Sequence, residues 1–378
     1  MSKAATRQAE HAYFMQRAVE LARRGWYGTR PNPRVGCVIV RDGRVLGEGW
    51  HERAGEAHAE RRALADVDRR EHSARGATAY VTLEPCSHTG RTAPCVEALI
   101  EAGVARVVIG SRDPNPAVDG RGMARLRDAG IEVTDQVLTD RCTELNTGFN
   151  SRMQRGRPWV RVKLAMSLDG RTAAANGESQ WITGSAARDD VHRLRAASGA
   201  VMIGRGTAAD DDPSLNVRLS GDWLQPLRVV LDSRLAMSPG ARMLGLDGDT
   251  LVFTTSDDAE RVKALEAAGA RVERVAADAV GLAAGLDLGA VLSALGAAEI
   301  NDVLVESGPT LAGALEQAGL VDEYIIYMAP MLLGDNARGL LHLPGVEALA
   351  DARDLIIDRV EPVGDDWRIT ARRKQESR

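Results

Sequence analysis

Thr82-Leu83-Glu84-Pro85-Cys86-Ser87-His88, with His58-Ala59-Glu60 ahead of it and Pro94-Cys95 behind it, is the stretch on which the reading of this chain turns. One imidazole and two thiolates are ligands of the kind zinc prefers. A tetrahedral ion on His58, Cys86 and Cys95 keeps its fourth position open, as catalytic rather than structural sites do. Glu60 lies two residues from a ligand, where it can move protons without occupying the metal. The set points to hydrolytic chemistry, in outline the removal of an amine. A structural zinc knuckle or unrelated buried cysteines are the alternatives, but structural sites usually have four protein ligands and no free carboxylate beside them.

Local signals agree with that geometry. The stretch 57–68 reads as a helix with His58 and Glu60 in its first turn. Thr92 can cap a second helix, with Pro94 and Cys95 in its opening turn and Gly103 at its end. Helix N-termini favour the thiolate that metal binding requires, and Cys86 sits where the apolar strand 79–83 ends.

His-x-Glu with Pro-Cys and a second Cys resembles the zinc nucleobase and nucleoside deaminases. Here eight residues separate the two cysteines, and that long spacer is similar to the riboflavin-pathway pyrimidine deaminases. The resemblance implies a cytidine-deaminase-like fold, with Asn32, His51, His88, Arg91 and Asn115 lining a substrate pocket. By themselves, Asn32 and Asn115 between prolines are equally ordinary turn residues.

At 378 residues, two domains are the default expectation. No apolar run approaches the roughly 20 residues a membrane span needs, and Met1-Ser2-Lys3-Ala4 lacks a signal-peptide core, so a cytoplasmic enzyme is expected. Four cysteines in so long a chain are not a disulfide framework; Cys37 and Cys142 read as ordinary thiols. A net charge of −5 argues against a nucleic-acid partner. A homo-oligomer is the expected assembly.

In chain order, 10–24 is an amphipathic helix, Pro31-Asn32-Pro33 leads into strand 37–40, and Asp42-Gly43 signals a hairpin to strand 45–50. Strand 103–110 closes a three-layer α/β unit, followed by the Asp113-Pro114-Asn115-Pro116 loop. Polar residues then gather from Asn146 to Arg157, so the division is placed at 1–152 and 153–378.

The second half opens with strand 159–164, which carries Lys163, one of only four lysines in an arginine-rich chain. A helix from Ser185 to about Ala197 puts Arg188, His192 and Arg195 on one face, suited to a phosphorylated ligand or simply solvated. Gly204-Arg205-Gly206-Thr207-Ala208-Ala209 superficially fits a dinucleotide fingerprint. The acids and proline of Asp210-Asp211-Asp212-Pro213 exclude the long helix that motif needs, which leaves the loop as a cofactor contact. Strand 227–231 ends in Asp232-Ser233-Arg234. Val303-Leu304-Val305 runs into Glu306-Ser307-Gly308-Pro309-Thr310 and a helix, a good phosphate-binding start or an ordinary strand-to-helix turn.

Ala165-Met166-Ser167-Leu168-Asp169-Gly170-Arg171-Thr172 and Gly177-Glu178-Ser179-Gln180-Trp181-Ile182-Thr183 resemble the dihydrofolate-reductase-like half of the bifunctional bacterial riboflavin-pathway enzymes. That resemblance implies zinc in the first half and NADPH in the second. It implies a phosphorylated pyrimidine ribosyl substrate whose amino group is hydrolysed and whose ribosyl chain is then reduced to ribityl. It places cofactor contacts at Ala165, Trp181, Thr207, Asp211, Ser233, Gly308, Pro309, Thr310, Leu311, Ala312, Gly313 and Ala314. Substrate contacts fall at Ser179, Arg195, Leu215, Arg218 and Glu306. Lys163 is then a candidate to polarise or protonate the reacting end, against the alternative of a surface lysine lying along apolar neighbours.

Overall fold

The computed structural model describes residues 3–87, 94–116, 118–278 and 285–374, so the expectations for His88, Arg91 and Thr92 fall outside the described residues. The chain divides into two compact units, Met1–Gly156 and Arg157–Arg378.

The first unit runs α1 (Lys3–Arg24), β1 (Gly36–Arg41), β2 (Arg44–Trp50), α2 (Ala59–Arg69), β3 (Thr78–Leu83), α3 (Cys95–Glu101), β4 (Arg106–Ser111), α4 (Arg121–Asp128), β5 (Glu132–Thr134), α5 (Thr139–Glu144) and α6 (Thr147–Arg155). Its sheet has the order β2-β1-β3-β4-β5, with β1 antiparallel to both neighbours and β3 to β5 parallel. Asp42 and Gly43 both take positive φ, as a two-residue hairpin requires. Strand residues alternate between two cores: Cys37, Ile39, Val81 and Ile109 pack with α2, α3 and α4, while Val38, Val40, Tyr80 and Val108 pack with α1. Three layers follow. Gly49 lets α2 lie directly on β2, since a Cβ there would come within 2.4 Å of the Ala63 backbone nitrogen.

Three local expectations change. α1 extends well ahead of residue 10, as far as Lys3 among the described residues. α3 begins at Cys95 with Pro94 as its N-cap residue. The polar run from Asn146, where the division is placed, is helical over Thr147–Arg155, and Gly156 in the left-handed conformation ends the helix at the close of the first unit.

The second unit runs β6 (Trp159–Ser167), β7 (Arg171–Ala173), α7 (Ser185–Ala197), β8 (Ala200–Gly204), α8 (Arg205–Asp211), β9 (Leu227–Leu231), β10 (Thr250–Thr254), α9 (Ala259–Ala267), β11 (Ala270–Arg274), α10 (Leu288–Ala297), β12 (Asp302–Val305), α11 (Pro309–Gln317), β13 (Glu323–Ala329), β14 (Arg338–Gly339), β15 (Leu355–Val363) and β16 (Asp366–Arg373). Among the described residues its main sheet has the order β11-β10-β9-β8-β12-β6-β13-β16-β15, parallel as far as β13 and antiparallel at β16 and β15. One core gathers Val160, Val162 and Leu164 with α10 and α11; another gathers Val201, Ile203, Val230 and Val252 with α9. The carboxyl ends of β6, β8, β9 and β12 therefore open on a common side, where open α/β sheets bind ligands.

Candidate active sites

In the first unit the three proposed ligands converge. His58 is the N-cap residue of α2, Cys86 follows β3, and Cys95 opens α3. His58 Nδ1 lies 3.6 Å from Cys86 Sγ and 3.3 Å from Cys95 Sγ, and the Cys95 backbone N–H donates to Cys86 Sγ at 3.3 Å. A tetrahedral zinc with ordinary Zn–S and Zn–N bonds sets its sulfur and nitrogen donors about 3.6 Å apart, so this donor set fits the ion. A hydrogen bond from Cys95 pulls the pKa of the Cys86 thiol down, and the same bond pushes that of the Cys95 thiol up. One thiolate is thus already favoured.

Glu60, 3% exposed, belongs to the same cluster. Burial, reinforced by the charge of Cys86, pushes its carboxyl up to about 7, suiting a group that both takes and gives a proton near neutrality. His51 and Asn32 are also brought here: the His51 ring lies 5.1 Å from that of His58, and Asn32 Nδ2 is 3.1 Å from His51 Nε2. Asn32 donating there leaves His51 Nδ1 to donate to the Ala57 carbonyl at 3.3 Å, while burial pushes the imidazole pKa down and keeps it neutral.

Glu84 and Asp113 are site residues that the sequence reading passed over. The buried Glu84 carboxylate accepts the backbone N–H groups of Asp113 at 3.4 Å, Gly120 at 3.1 Å and Met123 at 3.2 Å. Asp113 in turn accepts the N–H of Asn115 at 2.8 Å. Glu84 thereby ties the loop bearing Asn115 to the strand end bearing Cys86. Burial, with the charges of Glu84 and Cys86, raises Asp113 to about 6.

The second unit holds a cavity of about 1790 Å³ at the carboxyl ends of its strands. That exceeds the roughly 300–1,000 Å³ of a one-ligand pocket. Of the expected substrate contacts, Ser179, Arg195, Leu215, Arg218 and Glu306 line it; of the expected cofactor contacts, Ala165, Trp181, Thr207, Asp211, Ser233 and Gly308 to Leu311 do. Ala312, Gly313 and Ala314 do not. They are buried inside α11, where a Cβ on Gly313 would come within 1.9 Å of the His342 carbonyl oxygen.

Lys163 is on the cavity wall, not the protein surface, and its Nζ lies 3.8 Å from Glu306 Oε2. Arg195 grips Glu306 with two bonds, Nε to Oε1 at 2.6 Å and Nη2 to Oε2 at 3.0 Å. Burial alone would raise the Glu306 carboxyl, but Arg195 and then Lys163 outweigh it and hold the group at about 2. The α7 stripe faces inward, with Arg188, His192 and Arg195 all on the wall and the Arg188 guanidinium 4.7 Å from the centre of the Trp181 ring. Burial, Arg195 and Arg218 together push the His192 pKa down. Arg205, Arg234, Arg242 and Arg338 add to a cationic lining suited to phosphates, and Tyr327 completes the wall near Lys163. At the start of α11, Ser307 Oγ is buried with no hydrogen-bond partner among the described residues, beside Gly308 as N-cap residue. An orphaned hydroxyl at a helix N-terminus fits a phosphate of a dinucleotide.

Comparison with known proteins agrees with a zinc-binding deaminase domain followed by a reductase-type domain. Residues 8–111 match the cytidine and deoxycytidylate deaminase zinc-binding region, and residues 158–369 match the RibD C-terminal domain. The riboflavin biosynthesis protein RibD of Escherichia coli is 49% identical over 370 residues, covering 94% of this chain and 97% of that protein. The Haemophilus influenzae protein of the same name is 46% identical, covering 96% and 97%. An Acinetobacter baumannii RibD structure superposes with a TM-score of 0.89 at 43% identity, covering 97% of this chain and all of that one. A Thermotoga maritima diaminohydroxyphosphoribosylaminopyrimidine deaminase/5-amino-6-(5-phosphoribosylamino)uracil reductase superposes with a TM-score of 0.85 at 33% identity, with the same coverage.

Proposed function

The chain belongs to the RibD family of bifunctional riboflavin-biosynthesis deaminases and reductases, and from that membership we propose how its residues divide the two reactions. The first unit performs deamination and the second reduction.

In the first unit His58, Cys86 and Cys95 hold zinc, which when bound supplies a Lewis acid that makes water nucleophilic at neutral pH. Glu60 takes the proton from the attacking water and passes it to the departing amine. A C–O bond forms, a C–N bond breaks and ammonia leaves. Asn32 and the neutral His51 orient the pyrimidine, and the loop that Glu84 anchors presents Asn115. The substrate is 2,5-diamino-6-(5-phosphoribosylamino)pyrimidin-4-one.

In the second unit NADPH, when bound, supplies the hydride that turns the ribosyl side chain into ribityl. Ser307 and the start of α11 hold its phosphates, with Ala165, Trp181, Thr207, Asp211 and Ser233 along the same cavity. Arg188, His192, Arg195 and Arg218 take the phosphate end of the substrate. Lys163 presents Nζ to the reacting end of the substrate, with Glu306 as its ion-pair partner. The observation that carries the reading is the pairing of Lys163 with Glu306 inside one cavity that also holds an unpartnered Ser307 hydroxyl. Titration of the full chain with NADPH, followed by quenching of tryptophan fluorescence, tests it. Saturation near one cofactor per chain, weakened by Ser307→Ala, is expected; a stoichiometry of zero contradicts it.

Assembly as a homodimer is supported by β15, an edge strand whose Leu355, Ile356, Ile357 and Val360 are exposed. Light scattering should give twice the chain mass, reduced to one by Ile357→Lys. A cytoplasmic location is supported by four free cysteines. No described helix is long and apolar enough to cross a membrane.

A further inference from the structure

α7 carries the basic stripe of the reductase cavity, yet its own apolar support is thin. Ala187 and Val191 pack with Ile325 and Tyr327, backed by the half-buried Leu194 and Val363. Polar contacts complete the attachment. Asp190, on the sheet-facing side of the helix, accepts the Tyr327 hydroxyl at 2.6 Å and Arg368 Nη1 at 3.0 Å through one oxygen, Oδ2. Tyr327 and Arg368 are direct cross-strand partners in the β13–β16 register, so both donors come from one rigid place in the sheet. Two residues before Arg368 on the same strand, Asp366 Oδ2 accepts the N–H of Gly184 at 2.7 Å, at the N-cap of α7.

We propose that the Tyr327–Arg368 pair acts through Asp190 as a positioning device for the phosphate end of the reductase substrate. This rests on the reading of the α7 stripe as the substrate side. Residues advance about 100° per step around a helix, which places Arg188, His192 and Arg195 roughly on the far side of α7 from Asp190. A grip on Asp190 therefore fixes the roll of the helix, and the roll decides where Arg188 and His192 point, Arg195 being held as well by Glu306. Arg368 does not line the cavity among the described residues, so any influence it has on substrate travels through the groups it touches, Asp190 on α7 first among them. Loss of its guanidinium leaves the Asp190 carboxylate, only 13% exposed, with a single hydroxyl donor and a reason to turn towards water. A misplacement of about 1 Å at a binding group is enough to matter kinetically.

The test is steady-state reduction of the deaminated phosphorylated substrate by the full chain in three variants, with NADPH affinity measured separately. Arg368→Met is expected to raise substrate KM by about tenfold, a change of about 1.4 kcal/mol, while kcat, NADPH affinity and deaminase activity stay at wild-type values. Tyr327→Phe, which removes one oxygen atom, should raise KM in the same direction and serves if Arg368→Met fails to fold. Arg188→Gln probes the stripe itself. If Arg188→Gln raises KM while the other two leave it unchanged, the positioning device is overturned and the stripe stands. Unchanged KM in all three overturns both, and an equal loss of NADPH affinity in Arg368→Met shows general loosening and overturns the device.

Discussion

Lys163 Nζ lies 3.8 Å from the Glu306 carboxylate that Arg195 already grips with two bonds, so a buried anion is shared between a closely bonded guanidinium and a more distant ammonium. Arg195 takes both Glu306 oxygens in hydrogen bonds, and Lys163 stands beside the pair with no hydrogen bond to it at 3.8 Å. A lysine serving this way acts on the transition state more than on binding. Lys163→Met should therefore lower the reductase kcat by about 100-fold, in the range found when one electrostatic contact to developing charge is removed, with NADPH affinity and deamination intact. Steady-state kinetics on the purified variant decide, and wild-type kcat with wild-type KM would return Lys163 to an ordinary packing role.

Glu306 also gives the second unit an acid-sensitive joint. Its folded-state pKa of about 2 lies below the ordinary value of about 4.3, so its stabilising contribution is complete above the ordinary value and is lost as pH falls towards about 2. The Tm difference between wild type and Glu306→Gln should be large at pH 7 and shrink steadily below about pH 4.3. A difference independent of pH across that window would contradict the pairing.

Glu84 offers a separate handle on deamination. Its carboxylate satisfies three backbone N–H groups across 29, 36 and 39 residues of chain, and the amide of Glu84→Gln has one acceptor oxygen for them. The variant should keep one zinc per chain, measured by elemental analysis, while kcat/KM for deamination drops about tenfold, the effect of about 1.4 kcal/mol. Loss of zinc in parallel with activity would make Glu84 a scaffold for the metal rather than for the loop.

The metal site was legible in the sequence because its parts are local: His58 and Glu60 share a helix start, and Cys86 and Cys95 end a strand and open a helix. The fold class followed from alternating strand and helix signals. Glu84, Asp190 and Tyr327 were not legible, since their roles exist only once contacts such as Tyr327 to Asp190, 137 residues apart in the chain, have formed. β15 escaped because Leu355, Ile356 and Ile357 are all exposed, without the in–out alternation that marks a half-buried strand. That the cavity lining of α11 ends at Leu311 was equally hidden, because only packing shows that Ala312 to Ala314 are buried in the helix.

Two independent active sites on one chain can be tested in a single reaction by following ammonia release and NADPH oxidation together on the phosphorylated diaminopyrimidine, for wild type and Glu60→Gln. Wild type should produce both signals. Glu60→Gln should release no ammonia and oxidise no NADPH on that compound, yet oxidise NADPH at the wild-type rate when given the deaminated substrate. Ammonia release at the wild-type rate from Glu60→Gln, or loss of its NADPH oxidation on the deaminated substrate, would contradict the division of the two reactions between these sites.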